Sequence, residues 1–139
     1  MRYQTKLKYV LKTVELNPSG SFTNWKPSTL KELRDEPIEE SFAGANLLFE
    51  NNYLKLWDIT LAPGERLPFS IKSTNYSWTC LSGGKTVSHS ADGIIRLYKI
   101  EKGEICFFKF KNKKHISDIE NVGKNIIVIH IIEYKNEVF

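Results

Sequence analysis

From residue 46 onward, short strand-like segments alternate with turns that contain glycine. The segments are NLLFENNYLKLWDITL, NYSWTCL, GIIRLYKI, EICFFKF and NIIVIHIIEY, and the turns are APGE, SGGK, ADG, EKG and NVGK. Turn signals return about every ten residues, and the absence of helical patterns between the strands argues against a parallel α/β sheet. The spacing predicts an all-β protein, an antiparallel β-barrel of the jelly-roll type.

Before residue 46 the pattern is mixed. The run QTKLKYVLKTVE predicts one or two strands, and NWKPSTLKELRDEP predicts one short helix, with Ser28 as its N-cap, Glu32 four residues later and Pro37 at its end. We expect residues 1–45 to pack as an N-terminal strand and helix on a barrel formed by residues 46–139. A length of 139 residues suits a single domain overall.

The last predicted strand is apolar on both faces. Ile126, Val128, His130 and Ile132 alternate with Ile127, Ile129 and Ile131. One face fits the barrel interior, and the other requires a cover from a second sheet or a second subunit. This strand therefore predicts a homodimer.

The composition gives broad limits on location and partners. The N-terminal residues carry charges throughout, and no window approaches the ~20 apolar residues that cross a bilayer, so we expect a cytoplasmic protein without a membrane partner. The net charge of +4 is a weak sign of anionic partners. Cys80 and Cys106 lie in apolar strands, which predicts buried thiols rather than a disulfide.

The stretch GERLPFSIKSTNYSWTCLSGG, residues 64–84, resembles the first motif of the cupin superfamily. That motif consists of Gly, five residues, His, one residue, His, three residues, Glu, six residues and Gly. The spacing matches from Gly64 to Gly83, and the preceding LWDITLAP is also similar. Ser70, Lys72 and Tyr76 stand at the three places where the family has metal ligands.

The second cupin motif usually opens with Gly and closes with His, three residues and Asn. Gly103 and Asn121 resemble its two ends, and Ser117 stands at the histidine place. The resemblance covers about residues 46–135 and implies a short single-domain bacterial cupin, a cupin-like β-barrel whose metal-ligand residues have been replaced.

Strand geometry leads to the same residues independently. Side chains two apart share a face, so Ser70, Lys72, Tyr76, Trp78 and Cys80 all point one way if residues 70–80 stay extended. An inward face predicts a pocket with hydroxyls, an amine and aromatic rings. His115 shares a face with Ser117 by the same rule. The candidate ligand-binding residues are Ser70, Lys72, Tyr76, Trp78, His115 and Ser117.

Each candidate also has an ordinary structural interpretation. Burial lowers the pKa of an amine, so Lys72 is a candidate nucleophile, base or partner of an anionic ligand, but near a barrel mouth its stem can carry the charge out to water. Tyr76 and Trp78 can be core filling. Ser70 and Ser117 can bond to each other or to a trapped water.

We expect neither a metal nor another cofactor. Transition metals need several converging imidazole, thiolate or carboxylate ligands, and the histidines His89, His115 and His130 lie on three different segments. A site rebuilt from His115 and His130 remains an alternative if both point inward.

Two further functions are disfavoured by the sequence. Ser117, His115 and Asp118 could suggest a catalytic triad, but Asp118 should face away from the other two. The run KFKNKKH combines lysines with aromatic residues, as single-strand binding sites do, but acidic residues flank it. We therefore expect no nucleic-acid partner.

The sequence thus predicts a metal-free cupin-like protein that binds a small organic ligand in its barrel. The alternative is a metal-independent isomerase, epimerase or lyase, in which Lys72, Tyr76 or His115 moves protons in a sugar or carbonyl substrate. A third interpretation is a structural barrel kept for association with another protein, which a cavity filled by aromatic side chains would favour.

Overall fold

A computed structural model describes residues 12–35, 37–111 and 113–135. Ten strands, one 3-10 turn at Phe22–Asn24 and one α-helix are assigned in these residues. The helix, α1, spans Pro27–Arg34. The strands are β1 Lys12–Glu15, β2 Asn46–Glu50, β3 Leu54–Leu61, β4 Arg66–Lys72, β5 Tyr76–Cys80, β6 Gly84–His89, β7 Ile95–Ile100, β8 Ile105–Phe108, β9 His115–Asn121 and β10 Ile127–Tyr134.

The strands form two antiparallel five-stranded sheets. We call the sheet with strand order β1-β7-β6-β9-β4 the first sheet and the one with order β2-β3-β10-β5-β8 the second sheet. The predicted antiparallel jelly roll with one short helix is confirmed, and the two sheets are not closed into a continuous barrel. Of the predicted N-terminal strand, residues 4–11 lie outside the described part of the chain.

The main core lies between the two sheets, and strand alternation builds it. On β10, Ile127, Ile129 and Ile131 are fully buried, whereas the alternate residues are partly exposed. The same alternation on other strands contributes Trp57, Ile59, Leu61, Leu67, Trp78, Cys80, Cys106 and Ile119. Cys80 and Cys106 are buried thiols, as predicted.

The helix packs outside the first sheet and completes a second apolar cluster. Trp25, Phe69 and Ile95 form the buried centre of this cluster, and Leu30 and Leu33 of α1 pack against it. The prediction that Ser28 caps the helix is wrong. The N-cap is Lys26, whose side chain makes no capping bond, and Pro27 occupies the first helical position, where its fixed φ and missing N–H are tolerated.

No helix in residues 12–35, 37–111 or 113–135 is both long enough and apolar enough to span a membrane.

Candidate functional site

A β-bulge in β4 turns Ser70 and Lys72 toward the space between the sheets. Between Leu67 and Ser70 the strand advances three residues while its partner β9 advances two, from Ile119 to Ser117. The extra residue changes the alternation, so Leu67 and Lys72 are both buried inward while Phe69 joins the cluster beneath the helix. Bulges re-aim side chains in this way.

The expectation that residues 70–80 form one extended run is wrong. β4 ends at Lys72, β5 begins at Tyr76, and the two strands belong to different sheets. The candidates of both strands are nevertheless buried, because each sheet presents its own inner face to the same interior. Tyr76 and Trp78 thus belong to the main core cluster and also line the cavity described below.

The Lys72 amine is held by neutral oxygen atoms. Its Nζ donates to the backbone oxygen of Ser117 at 2.8 Å and to the Ser117 hydroxyl at 3.1 Å, and it lies 3.5 Å from the backbone oxygen of Ser70. It also lies 5.4 Å from the centre of the Phe42 ring. The side chain is only 3% exposed, so the alternative in which its stem carries the charge out to water is wrong.

Burial changes the acid–base behaviour of this amine. Loss of solvation lowers the pKa of Lys72 from 10.5 to about 7, and the charge of Asp118 opposes that shift only in part. Among the described residues, no carboxylate forms an ion pair with Lys72. The amine is therefore a cation without a matched counter-ion, or a neutral nucleophile, near neutral pH.

His115 stands directly opposite Lys72 in the ladder between β4 and β9. Cross-strand partners project on the same face, so the imidazole and the amine line one side of the cavity. Desolvation and the charges of Lys72 and Arg96 lower the pKa of His115 below its usual 6.5. Because the residue is solvent-exposed at the cavity rim, screening limits that shift.

A cavity of about 530 Å³ lies between the two sheets. Five of the six predicted site residues line it: Lys72, Tyr76, Trp78, His115 and Ser117. Ser70 is buried opposite Ser117 but does not line the cavity. The structure brings the candidates together, and their role in binding a ligand stays a prediction.

The walls of the cavity are aromatic. Tyr76 stacks on Phe108 with ring centres 4.9 Å apart and meets the edge of Phe42 at 5.0 Å. Trp78 lies 5.2 Å from Phe108 and 5.7 Å from Tyr98. Burial raises the pKa of Tyr76 above its usual 10.0, so its phenol is neutral at every physiological pH. The rings leave an open space between them, which disfavours the interpretation of a filled, purely structural barrel.

Cations surround the opening of the cavity. Arg96, Lys109, Lys111 and Lys113 line it together with Lys72, and Asp92 is the one carboxylate among its described lining residues. Asp92 is already paired with Arg96 at 2.9 Å, and a second Arg96 nitrogen donates to the Ser90 hydroxyl at 3.0 Å. The unpaired charge at the opening is therefore positive.

Sequence reasoning missed several cavity residues. Phe42 lies in the segment that was assigned to the N-terminal unit, and its positive φ of 55°, uncommon for a bulky residue, gives no signal in the sequence. Three more cavity residues lie on strands that the sequence did predict: Arg96, Tyr98 and Phe108. Strand alternation assigns their side chains to the inner face once the register of β7 and β8 is known. The lysines of KFKNKK were considered only for nucleic-acid binding, and three of them line the cavity.

Asp118 lies on the opposite face from Ser117, as expected, and this excludes the catalytic triad. Its carboxylate accepts from Arg66 Nε at 2.9 Å and from the backbone N–H of His89 at 2.6 Å. The Nδ1 atom of His89 lies 3.1 Å from both carboxylate oxygens. Arg66 also makes a bidentate contact with Glu32 of α1, at 2.9 and 2.6 Å, so this network joins the helix to the first sheet.

The alternative metal site built from His115 and His130 is also excluded. His130 points to the outer face of the second sheet, where its Nε2 lies 3.0 Å from Asp58 Oδ1. Ile129 and Ile131, on either side of it, fill the core instead. The expectation that His130 could point inward is wrong.

The cupin resemblance implies a metal at the places of Ser70, Lys72, Tyr76 and Ser117, and these side chains do not fit one. The Lys72 amine bonds to the Ser117 hydroxyl, so a metal cation held there would meet a competing donor and a like charge. A neutral phenol and two hydroxyls are poor partners for transition metals. Within the described ranges no group of three or more His, Cys, Asp or Glu side chains could hold a metal ion. That the protein works without a metal or cofactor stays a prediction.

Comparison with solved structures places the fold. A cupin domain from Bordetella pertussis Tohama I is similar with a TM-score of 0.59 and 16% identity, over 73% of this chain and 98% of that one. An RmlC-like cupin family protein with a double-stranded β-helix fold from Methanocaldococcus jannaschii is similar with a TM-score of 0.53 and 16% identity, over 73% of this chain and 84% of that one. A protein with a double-stranded β-helix domain from Klebsiella pneumoniae is similar with a TM-score of 0.52 and 17% identity, over 76% of this chain and 89% of that one.

No protein-family model and no curated protein matches the sequence. The structural similarity shows that this chain has the cupin fold. At 16–17% identity it concerns the fold alone, and the function has to be argued from the cavity.

Proposed function

We propose that the cavity binds a small organic anion with a flat apolar body. The observation that carries this proposal is the charge of the lining around the opening: three exposed lysines and one arginine against one carboxylate, in the part of the chain that the structure describes. A concave site lined by one sign of charge raises the local concentration of ions of the opposite sign.

The shape and chemistry of the cavity walls support a ligand with a flat apolar body. A volume of about 530 Å³ lies within the usual range for small-molecule sites. Phe42, Tyr76, Trp78 and Phe108 offer ring faces and edges, which suit a planar ligand or the apolar face of a sugar. The Lys72 amine, which has no ion-pair partner among the described residues, gives such an anion a further contact on the buried side.

Matched pairs of compounds test the requirement for charge. The two members of each pair differ mainly in the anionic group. The pairs are phenyl phosphate and phenol, benzoate and benzamide, and pyridoxine 5′-phosphate and pyridoxine. In thermal-shift and calorimetric titrations, the anionic member of at least one pair should raise Tm and bind, its neutral partner should bind more weakly, and added salt should weaken the difference. Equal effects of charged and neutral members in every pair, or no effect of any compound, would overturn the proposal.

Two neighbouring lysines provide a control for general surface charge. Lys113 lines the cavity and Lys114 does not, and both are exposed. Lys113→Glu and Lys114→Glu make the same change in net charge. We expect Lys113→Glu to weaken binding of the preferred anion at least ~10-fold, because a carboxylate replaces a contacting cation, and Lys114→Glu to weaken it much less. Equal losses would mean that long-range attraction, not the cavity, causes binding.

A second function, acid–base catalysis on a carbonyl or sugar substrate, is supported by the pair Lys72 and His115. Two titratable groups stand opposite each other on one wall, and both have lowered pKa values. Such a pair could take a proton from a carbon next to a carbonyl and return it, as an isomerase or epimerase requires.

Hydrogen exchange separates this function from binding alone. Aldose and ketose phosphates incubated with the protein in D₂O should gain deuterium beside the carbonyl, and His115→Gln should abolish the gain while binding persists. If the wild-type protein binds these compounds without any exchange, the catalytic function is wrong and the binding function stands.

A further inference from the structure

The setting of Lys72 is unusual for a lysine amine. Its hydrogen-bond partners are neutral oxygens of Ser117 and Ser70, the Phe42 ring lies 5.4 Å away, and 3% of the side chain is exposed. A charged ammonium in such a place lacks a counter-ion and most of its hydration, so the neutral amine is favoured. A neutral amine that lines a cavity is a nucleophile.

We propose that Lys72 forms a reversible covalent imine with an aldehyde or ketone group of the bound anion. This inference rests on the proposed function, because the cations at the opening would hold the anionic end of the ligand while its carbonyl reaches the amine. The ligand class is thereby narrowed to small organic anions that carry a carbonyl group.

The step is a condensation that needs no further reactant. The lone pair of Lys72 Nζ forms a bond to the carbonyl carbon, and the carbonyl π electrons move to oxygen, which takes up a proton. The nitrogen loses a proton, which gives a carbinolamine. Its hydroxyl takes up a second proton, the carbon–oxygen bond breaks, and water leaves as the carbon–nitrogen double bond forms and the nitrogen gives up its second proton. The products are an imine and one water, and hydrolysis reverses the reaction.

Neighbouring groups can serve the proton transfers. The Ser117 hydroxyl lies 3.1 Å from Nζ, within reach for passing a proton between nitrogen and oxygen. His115 stands on the same wall, directly across the ladder from Lys72. The pKa of about 7 for Lys72 agrees with this role, since a large share of the amine is neutral at physiological pH. The exposed lysines of the opening, Lys109, Lys111 and Lys113, are hydrated and suit electrostatic contact instead.

Pyridoxal 5′-phosphate is a suitable probe, because it combines a phosphate, a flat ring and an aldehyde. The wild-type protein is mixed with less than one equivalent at pH 7, reduced with borohydride, digested and mapped by mass spectrometry. We expect the reduced adduct on the peptide that contains Lys72, at least ~10-fold above the adduct on exposed Lys99, because a lowered pKa leaves more neutral amine. Labelling spread over exposed lysines, with Lys72 at or below their level, would overturn the inference.

Two controls separate the inference from the proposed function. The imine between the protein and pyridoxal 5′-phosphate can also be followed by its absorbance before reduction. The Lys72→Met variant should lose both this absorbance and the main reduced adduct, and the Lys99→Met variant should keep both. Pyridoxine 5′-phosphate has an alcohol in place of the aldehyde, so it should bind without forming an adduct. If it binds and the aldehyde still fails to label Lys72, the covalent step is wrong while anion binding stands. If none of the anionic probes binds at all, both proposals fall.

Discussion

At the scale of single residues, Lys72 shows how a site can keep its geometry and change its chemistry. The turns at Gly64 and Gly83 and the spacing between them resemble a metal-binding motif, but the place of one ligand now holds an amine that bonds to Ser117. The burial of that amine costs stability, because the unfolded chain would hydrate it fully. Such a cost suggests a use for the amine.

Replacing Lys72 should stabilise the protein in a pH-dependent way. The pKa is about 7 in the folded protein and 10.5 as a reference for the unfolded chain, so between these values the unfolded state binds more protons and wild-type stability rises with pH. Lys72→Met removes this effect. Its gain in free energy of unfolding should be largest at pH 7 and below, and should shrink by up to about 1.4 kcal/mol per pH unit toward pH 10.

Urea unfolding at several pH values measures this difference, and Lys99→Met is the matched control because Lys99 is exposed on β7. The control should differ from wild type by a small amount that changes little with pH. A Lys72→Met variant that is less stable than wild type at pH 7 would contradict a buried amine without a counter-ion.

Alanine substitutions at Gly93 and Gly103 test a steric contact, because the two glycines have nearly identical φ angles of 91° and 90°. A Cβ on Gly93 would lie 2.0 Å from the backbone oxygen of Gly20, whereas nothing lies within 4 Å at Gly103. The Gly93 carbonyl also accepts from Asn17 and Trp25 at 2.8 and 2.9 Å. Gly103→Ala should cost about 1–2 kcal/mol and Gly93→Ala at least about 3 kcal/mol in thermal unfolding. Similar costs would show that the close approach to Gly20 is absent.

At the scale of elements, α1 is joined to the first sheet by the network of Glu32, Arg66 and Asp118. Asp118 is fully buried, whereas the Glu32 side chain is 41% exposed. Asp118→Asn should therefore cost about 2–4 kcal/mol, because it leaves Arg66 without its buried partner, and Glu32→Gln should cost about 1 kcal/mol or less. Urea unfolding measures both, and a larger loss for Glu32→Gln would contradict this assignment.

The same network has a defined pH response. The hydrogen bond from Arg66 lowers the pKa of Glu32 below 4.5, so the contribution of this pair is present above that pH and is lost as the pH falls further.

Sequence alternation predicted most strands but not the path of β4. The candidates from 70 to 80 share an interior, yet the reason is a bulge near Pro68 and a change of sheet between Lys72 and Tyr76, not one extended run. Alternation reports only neighbours along a strand, so it cannot detect an extra residue that has no partner on the next strand. β6 and β9 were not identified as separate strands, because buried polar residues such as Thr86, Ser88 and Asp118 interrupt their apolar pattern. The Ser88 hydroxyl, for example, donates to the backbone oxygen of Asp118.

At the scale of the whole molecule, the cavity depends on contacts between distant segments. Phe42 precedes β2, Arg96 lies on β7 and Phe108 ends β8, yet all three line one space with Lys72. The fold type was predictable because turns and periodicity are local signals. The lining was predictable only in part. Five of the six candidates line the cavity, but Phe42, Arg96 and Phe108 were missed, because their positions depend on the register of two sheets and on a loop that folds back.

The outer face of the second sheet is the surface that a second subunit would cover in the expected homodimer. Val128, His130 and Ile132 of β10 are partly exposed there, while the opposite face fills the core. The expected homodimer stays a prediction, as do the division at residue 45 and the cytoplasmic location.

The amine of Lys72 is the centre of this account, and its pKa can be measured directly. In NMR titrations of the lysine ε-methylene groups, one signal should titrate near pH 7 and disappear in Lys72→Met. A spectrum in which no lysine signal titrates near pH 7 would contradict a desolvated amine inside the cavity, and with it the proposed chemistry of the site.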